Sequence, residues 1–204
     1  MKSLLISMLL AVAVSFVAPA GAQEQTPNEL IETAVRLLAE KMDGRDEELA
    51  ADREALYALI DEVLLPRFDQ KFAAQVVLAK HWRTASEEQR ERFIAAFYHS
   101  LLRKYADGLL EFEQDRVEVL PFRGDLNKKR VKVKSKVQLN NGNKVAVDYE
   151  LVKRESKWLL FNVVIEGVSY VRNFRAELDS EIRRTSLDAV LERLEGEAGI
   201  TSDE

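Results

Sequence analysis

Apolar side chains recur at helical spacing through the first half of the chain and switch to alternation from about residue 116, the change of period that separates helix from strand. Thr26, Pro27 and Glu29 make a capping box with proline at the first helical position, which predicts a helix over 26–42. Its apolar face carries Leu30, Val35, Leu37 and Leu38. A second helix, over 52–65, sets Leu56, Leu59, Ile60, Val63 and Leu64 at helical spacing and stops at Pro66. A third is predicted over 69–83. Ser86 and Gln89 repeat the capping box and open a long helix whose apolar stripe runs Phe93, Phe97, Leu101, Tyr105 and Leu109. Steps of four exceed the 3.6-residue turn, so the stripe winds around the helix and can line a curved wall.

Farther on, Val131, Val133, Val137 and Leu139 alternate with Lys132, Lys134, Lys136 and Gln138, the pattern of a strand with one buried face. The next strand sets Val145, Val147, Tyr149 and Leu151 against Asp148 and Glu150. Between them, a two-residue Asn141-Gly142 turn would oppose inward odd positions to outward even ones, which parity forbids because cross-strand partners share a face. A three-residue loop over 140–142, with Gly142 left-handed, instead pairs Val137 with Val145 and Val133 with Tyr149. A strand over 158–165 is apolar at nearly every position, as expected at the centre of a sheet or at a cavity wall. Gly167 ends it, and helices over 171–183 and 186–195 follow.

At the start, Lys2, the apolar run from Leu4 to Val17 and the small residues Ala20, Gly21 and Ala22 read as a secretory signal over 1–22. Residues 23–204 then form a single domain with a helical part (26–112), a sheet (115–166) and a helical tail (170–196). The chain carries 30 basic and 35 acidic residues, a net charge of −5, with no cysteine. Disulfides and thiolate sites are thereby excluded, and the acidic balance argues against general nucleic-acid binding. Helices first and a curled antiparallel sheet second predict an α+β cone of the nuclear-transport-factor-2-like kind, with a hydrophobic cavity between helices and sheet and short C-terminal helices.

The run Leu64-Leu65-Pro66-Arg67-Phe68, then Lys71-Phe72-Ala73, Val77-Leu78, Trp82, Ala85, Gln89-Arg90, Phe93, Ala96-Phe97 and Tyr105-Ala106 resembles the central helices of the MlaC family. Trp158 followed by Ile165-Glu166-Gly167-Val168-Ser169 is similar to that family's Trp and E-G-V-S signature. The likeness extends over about 29–194, with Asn162 where the family usually has Asp and Tyr170 where a smaller aliphatic residue is common. The resemblance implies a monomeric periplasmic carrier without a cofactor. It would take a phospholipid by its acyl chains between an outer-membrane Mla lipoprotein complex and an inner-membrane Mla ABC transporter.

A phospholipid with roughly 30 chain methylenes, at about 0.8 kcal/mol each, would expose some 25 kcal/mol of unfavourable surface in water. A carrier must therefore hide its chains in an apolar cavity near 1,000 Å³, about the upper end for ligand pockets. Periodicity nominates Phe72, Val76, Trp82, Phe93, Phe97, Leu101 and Tyr105 from the helices, and Val133, Val147, Tyr149, Phe161 and Val163 from the sheet. Gly167, Val168 and Tyr170 are placed at the mouth. On this basis Val147→Arg or Phe97→Glu should empty the cavity without unfolding the chain. Lys128, Lys129, Arg130, Lys132, Lys134 and Lys136 form the densest basic run, a solvated sheet face or a docking surface for an acidic partner or anionic headgroups. Arg90 and Arg92 are weaker docking candidates. An enzyme on the same cone would need an acid or base in the cavity. His81 and His99 are the only histidines, and both are expected at helix surfaces or boundaries, while Asp148 points outward by alternation. Ser169 lies outside any nucleophile elbow. The competing binding reading is another hydrophobic ligand, such as a hopanoid, fatty acid or quinone.

Overall fold

The computed structural model describes residues 25–110, 114–139 and 141–200; the signal read over 1–22 lies outside them. Eight helices and five strands occupy the described residues, with three short 3-10 turns between them. Helix α1 (Pro27–Met42) opens on the capping box formed by Thr26 and Glu29, and α6 (Glu87–Tyr105) on that of Ser86 and Gln89. Each box satisfies backbone donors that a helix start leaves without partners. Helix α2 (Asp46–Ala51) follows α1, and α3 (Arg53–Leu64) runs into a 3-10 turn, Leu65–Arg67.

The single helix expected over 69–83 is two, α4 (Gln70–Leu78) and α5 (Lys80–Thr84). Ala79 separates them with φ +49° and ψ −109°, outside helical space and costly for a residue with a Cβ. No proline or glycine in the sequence marks this break.

The sheet is antiparallel and open, in the order β1 (Val117–Val119), β2 (Arg130–Gln138), β3 (Lys144–Arg154), β4 (Lys157–Ile165), β5 (Val168–Ser169). Val137 faces Val145 and Val133 faces Tyr149, the register that the three-residue loop requires. Gly142 there has φ +83°, and its N–H donates to the Leu139 carbonyl at 2.8 Å. Asn140 lies outside the described residues. One irregularity was not legible beforehand: Glu150 faces Asn162 and Leu151 faces Leu160, leaving Phe161 bulged out of the ladder. Such an extra residue bends its strand and re-aims its side chain. The Phe161 ring meets Phe72 of α4 edge-on, with centroids 4.9 Å apart.

On one face of the sheet, α1 sets Leu30 and Ile31 against Val133, Leu151 and Trp158. Helix α6 divides the helical part between two further cores. Tyr98 and Leu102 pack with Leu38, Leu56, Ile60 and Val63 of α1 and α3. Phe93, Ala96 and Phe97 pack with α4, α7 (Tyr170–Arg184) and α8 (Leu187–Ala198). The lagging stripe thus leaves one core and enters the space beside the other.

Candidate functional site

That space is an apolar cavity of about 460 Å³ between α3, α6, α7 and β4. Its volume is roughly half the 1,000 Å³ expected for two chains. From the helices come Ile60, Leu64, Phe68, Phe97, Leu101 and Tyr105, from β4 Leu160, Phe161, Val163 and Ile165, and from α7 Tyr170, Val171 and Phe174. The cavity reaches solvent beside Tyr105, which is 40% exposed. There the Tyr105 and Tyr170 rings meet edge-on at 5.1 Å, so the bulky residue at position 170 narrows the mouth.

Of the residues nominated from sequence, Phe97, Leu101, Tyr105, Phe161, Val163 and Tyr170 line this cavity. The others lie outside its wall. Phe93 is fully buried and stacks on Phe97 at 5.5 Å. Phe72 lies between Phe161 and the Arg154 guanidinium, and Val76 packs against the α4, α6 and α7 core. Trp82 lies under the Arg90 guanidinium, whose Nε also donates to the Trp82 carbonyl at 2.9 Å, so Arg90 clamps α5 to α6. Val147 and Tyr149 share a sheet face with their partners Ile165 and Val163, but lie on β3, one strand beyond the β4 wall; Val133 stands two strands away and is covered by α1. Glu166 and Gly167 form a two-residue turn with φ +49° and +80°, where glycine avoids the Cβ penalty, and Val168 beyond it is 49% exposed.

Residues of the wall that the sequence reading omitted have a partial signal. Ile60, Leu64 and Phe68 follow one another at steps of four, continuing one face of α3 through the turn. Asn162 is the informative omission. It is 3% exposed, and each of its polar atoms is matched: Nδ2 donates to Glu150 Oε2 at 2.8 Å and Ser169 Oγ at 2.9 Å, while Oδ1 accepts from the Val171 N–H at 3.1 Å. Ser169 Oγ in turn accepts from the Arg172 N–H and caps α7. An amide, unlike a carboxylate, can donate to Glu150. Ser169 therefore joins β4 to α7.

The rest of the wall offers little chemistry. Among the described residues lining it there is no Asp, Glu, His, Lys or Arg. The Tyr98 hydroxyl donates to Asp61 at 2.6 Å; burial, and then that carboxylate, push its pKa upward. Burial likewise raises the pKa of Tyr105 at the mouth, so both phenols stay neutral at physiological pH. His81 pairs with Asp179 at 2.7 Å, and His99 stacks edge-on with Tyr98; neither lines the cavity. No group of three or more metal-ligating side chains occurs among the described residues, and no helix there is long and apolar enough to cross a membrane.

The chain is similar to several known proteins. Toluene tolerance protein ttg2D of Pseudomonas putida is 28% identical over 165 residues, covering 80% of this chain and 76% of that one. The intermembrane phospholipid transport system binding protein MlaC of Haemophilus influenzae is 22% identical over 179 residues, covering 86% and 83%. Among solved structures, the phospholipid-binding protein of Ralstonia solanacearum, in complex with a phospholipid, superposes with a TM-score of 0.75 at 25% identity, covering 84% of this chain and 96% of that one. The family model for MlaC protein matches residues 32–196, and the chain belongs to the MlaC family.

Proposed function

We propose that this protein is a periplasmic phospholipid carrier without enzymatic activity, which buries acyl chain in the cavity between α6, α7 and β4. It would exchange lipid with an outer-membrane Mla lipoprotein complex and an inner-membrane Mla ABC transporter. The observation that carries the reading is a wall with no charged side chain in a family whose Ralstonia solanacearum relative holds a phospholipid. Both polar side chains deep in that wall, Asn162 and Tyr98, spend their polar atoms on protein partners. What remains toward the cavity is hydrocarbon, whose burial contributes about 25 cal/mol per Å². The apolar leader favours export, and the absence of an acid or base in the wall favours binding over catalysis.

The volume favours a second reading as well. An apolar cavity of about 150 Å³ holds one benzene, so 460 Å³ corresponds to roughly 18 carbons, or one acyl chain. A single chain matches this volume, whereas the two chains of a diacyl lipid exceed it. Native mass spectrometry of protein purified from periplasm without detergent separates the two. A diacyl-phospholipid adduct is the expected result. A fatty-acid adduct would transfer the cavity to the single-chain reading, and an empty protein that takes no lipid from vesicles would refute carriage altogether.

A further inference from the structure

Charge on this chain is sharply segregated. Residues 116–144 hold nine basic side chains and two acidic ones, a net +7, while the remainder totals −12. Alternation along β2 turns Arg130, Lys132, Lys134 and Lys136 all to solvent, and Lys128 and Lys129 are exposed in the loop just before it. The neighbouring acids do not neutralise them evenly. Asp148 and Glu150 both pair with Lys132, at 3.0 and 3.9 Å, and Glu150 also meets Arg172 at 3.7 Å. Glu118 of β1 stands opposite Lys136 in the ladder without forming an ion pair. Among the described residues, Lys128, Lys129, Arg130, Lys134 and Lys136 have no salt bridge. An exposed leucine flanks each end of the strand: Leu126, 46% exposed, in the loop before β2, and Leu139, 41% exposed, at the turn after it.

We propose that this face of β2, with the 123–130 loop, docks the protein reversibly on an anionic lipid surface. Protein interfaces are depleted in lysine and enriched in arginine and aromatics; this face is lysine-rich and carries leucine at its ends. Lysine is a compact point charge without a preferred planar partner, suited to a diffuse layer of headgroup phosphates. The attraction adds up per charge near such a surface and fades within a Debye length, so docking is both collective and easily reversed. It does not depend on what the cavity holds.

Co-sedimentation of the mature chain with sucrose-loaded vesicles tests this. The native protein should associate with phosphatidylcholine vesicles containing phosphatidylglycerol in about 0.1 M salt, detach in about 0.5 M salt, and ignore pure phosphatidylcholine. Lys134→Glu/Lys136→Glu should lower the partition by about tenfold or more, with native circular dichroism. Lys128→Glu/Lys129→Glu, in the loop and outside the ladder, should do the same and decides the matter if the first pair disturbs the sheet. Leu101→Glu, altered only in the cavity wall, should bind vesicles normally, which separates docking from lipid capture. Equal binding to both vesicle types, no binding to either, or undiminished binding by a folded lysine variant overturns the proposal; the second of these would leave the face to an acidic protein.

Discussion

Phe97 and Leu101 sit one turn apart on α6 and both reach the cavity, yet they answer to different constraints. Phe97 is 1% exposed, stacked on Phe93 at 5.5 Å and edge-on to Phe174 at 5.5 Å. Leu101 is half-buried in the wall. A glutamate at 97 would replace a ring held between Phe93 and Phe174 with an unpartnered buried carboxylate, a defect costing about 3–5 kcal/mol against a total stability of about 5–15 kcal/mol. Phe97→Glu is therefore expected to unfold the chain or lower its urea midpoint sharply, contrary to the expectation from periodicity alone. Val147→Arg shares that fate, since Val147 is 7% exposed and lies outside the cavity wall. Leu101→Glu can turn its carboxylate toward the open cavity, so circular dichroism should stay native while the lipid adduct disappears from native mass spectra. A retained adduct would remove Leu101 from the contact surface.

At the scale of elements, the join between α5 and α7 rests on one carboxylate. Asp179 of α7 accepts from Lys80 at 2.8 Å and His81 at 2.7 Å, and pairs with Arg183 one turn along its own helix at 3.0 Å. The Lys80 ammonium and His81, with Arg183 beside them, hold its pKa down to about 2. A depressed carboxylate pKa stabilises the fold above the unfolded-state value, about 3.9, and that contribution fades as pH falls toward the folded-state value. Asp179→Asn should accordingly melt below the native protein at pH 5, with the gap closing by about pH 2; a gap unchanged between those pH values would show that the ion pairs contribute nothing. This join also illustrates what a sequence withholds. The β2-β3 register was legible because parity and Gly142 leave one consistent loop. The break at Ala79 was not, because alanine is a strong helix former and only tertiary packing holds it at φ +49°. Nor was the bulge at Phe161, which shifts the register beyond Leu151. Alternation tells which face of a strand is buried, but not what covers it. Val133, Tyr149 and Val163 share one face, yet α1 covers the first and the cavity lies against the last.

Across the whole molecule, the cavity exists because α6 serves two cores and cannot close on both. Its first turns pack with α4, α7 and α8, while Tyr98 and Leu102 pack with α1 and α3. The stripe of Phe97, Leu101 and Tyr105 is left facing β4 across 460 Å³ of apolar space. Interiors otherwise pack as densely as organic crystals, so an unfilled volume of this size has to be useful enough to offset the contacts it forgoes. Its width then governs what it can carry. Val163 lies in the sheet wall, half-buried and outside the principal core clusters, so a larger side chain there should fill space without disrupting the fold. Displacing even four methylenes, at about 0.8 kcal/mol each, weakens binding by roughly 200-fold. Val163→Trp should therefore retain far less phospholipid than the native protein, read as the lipid mass that stays bound after incubation with vesicles. Undiminished retention by the folded variant would mean that the chains do not run along β4.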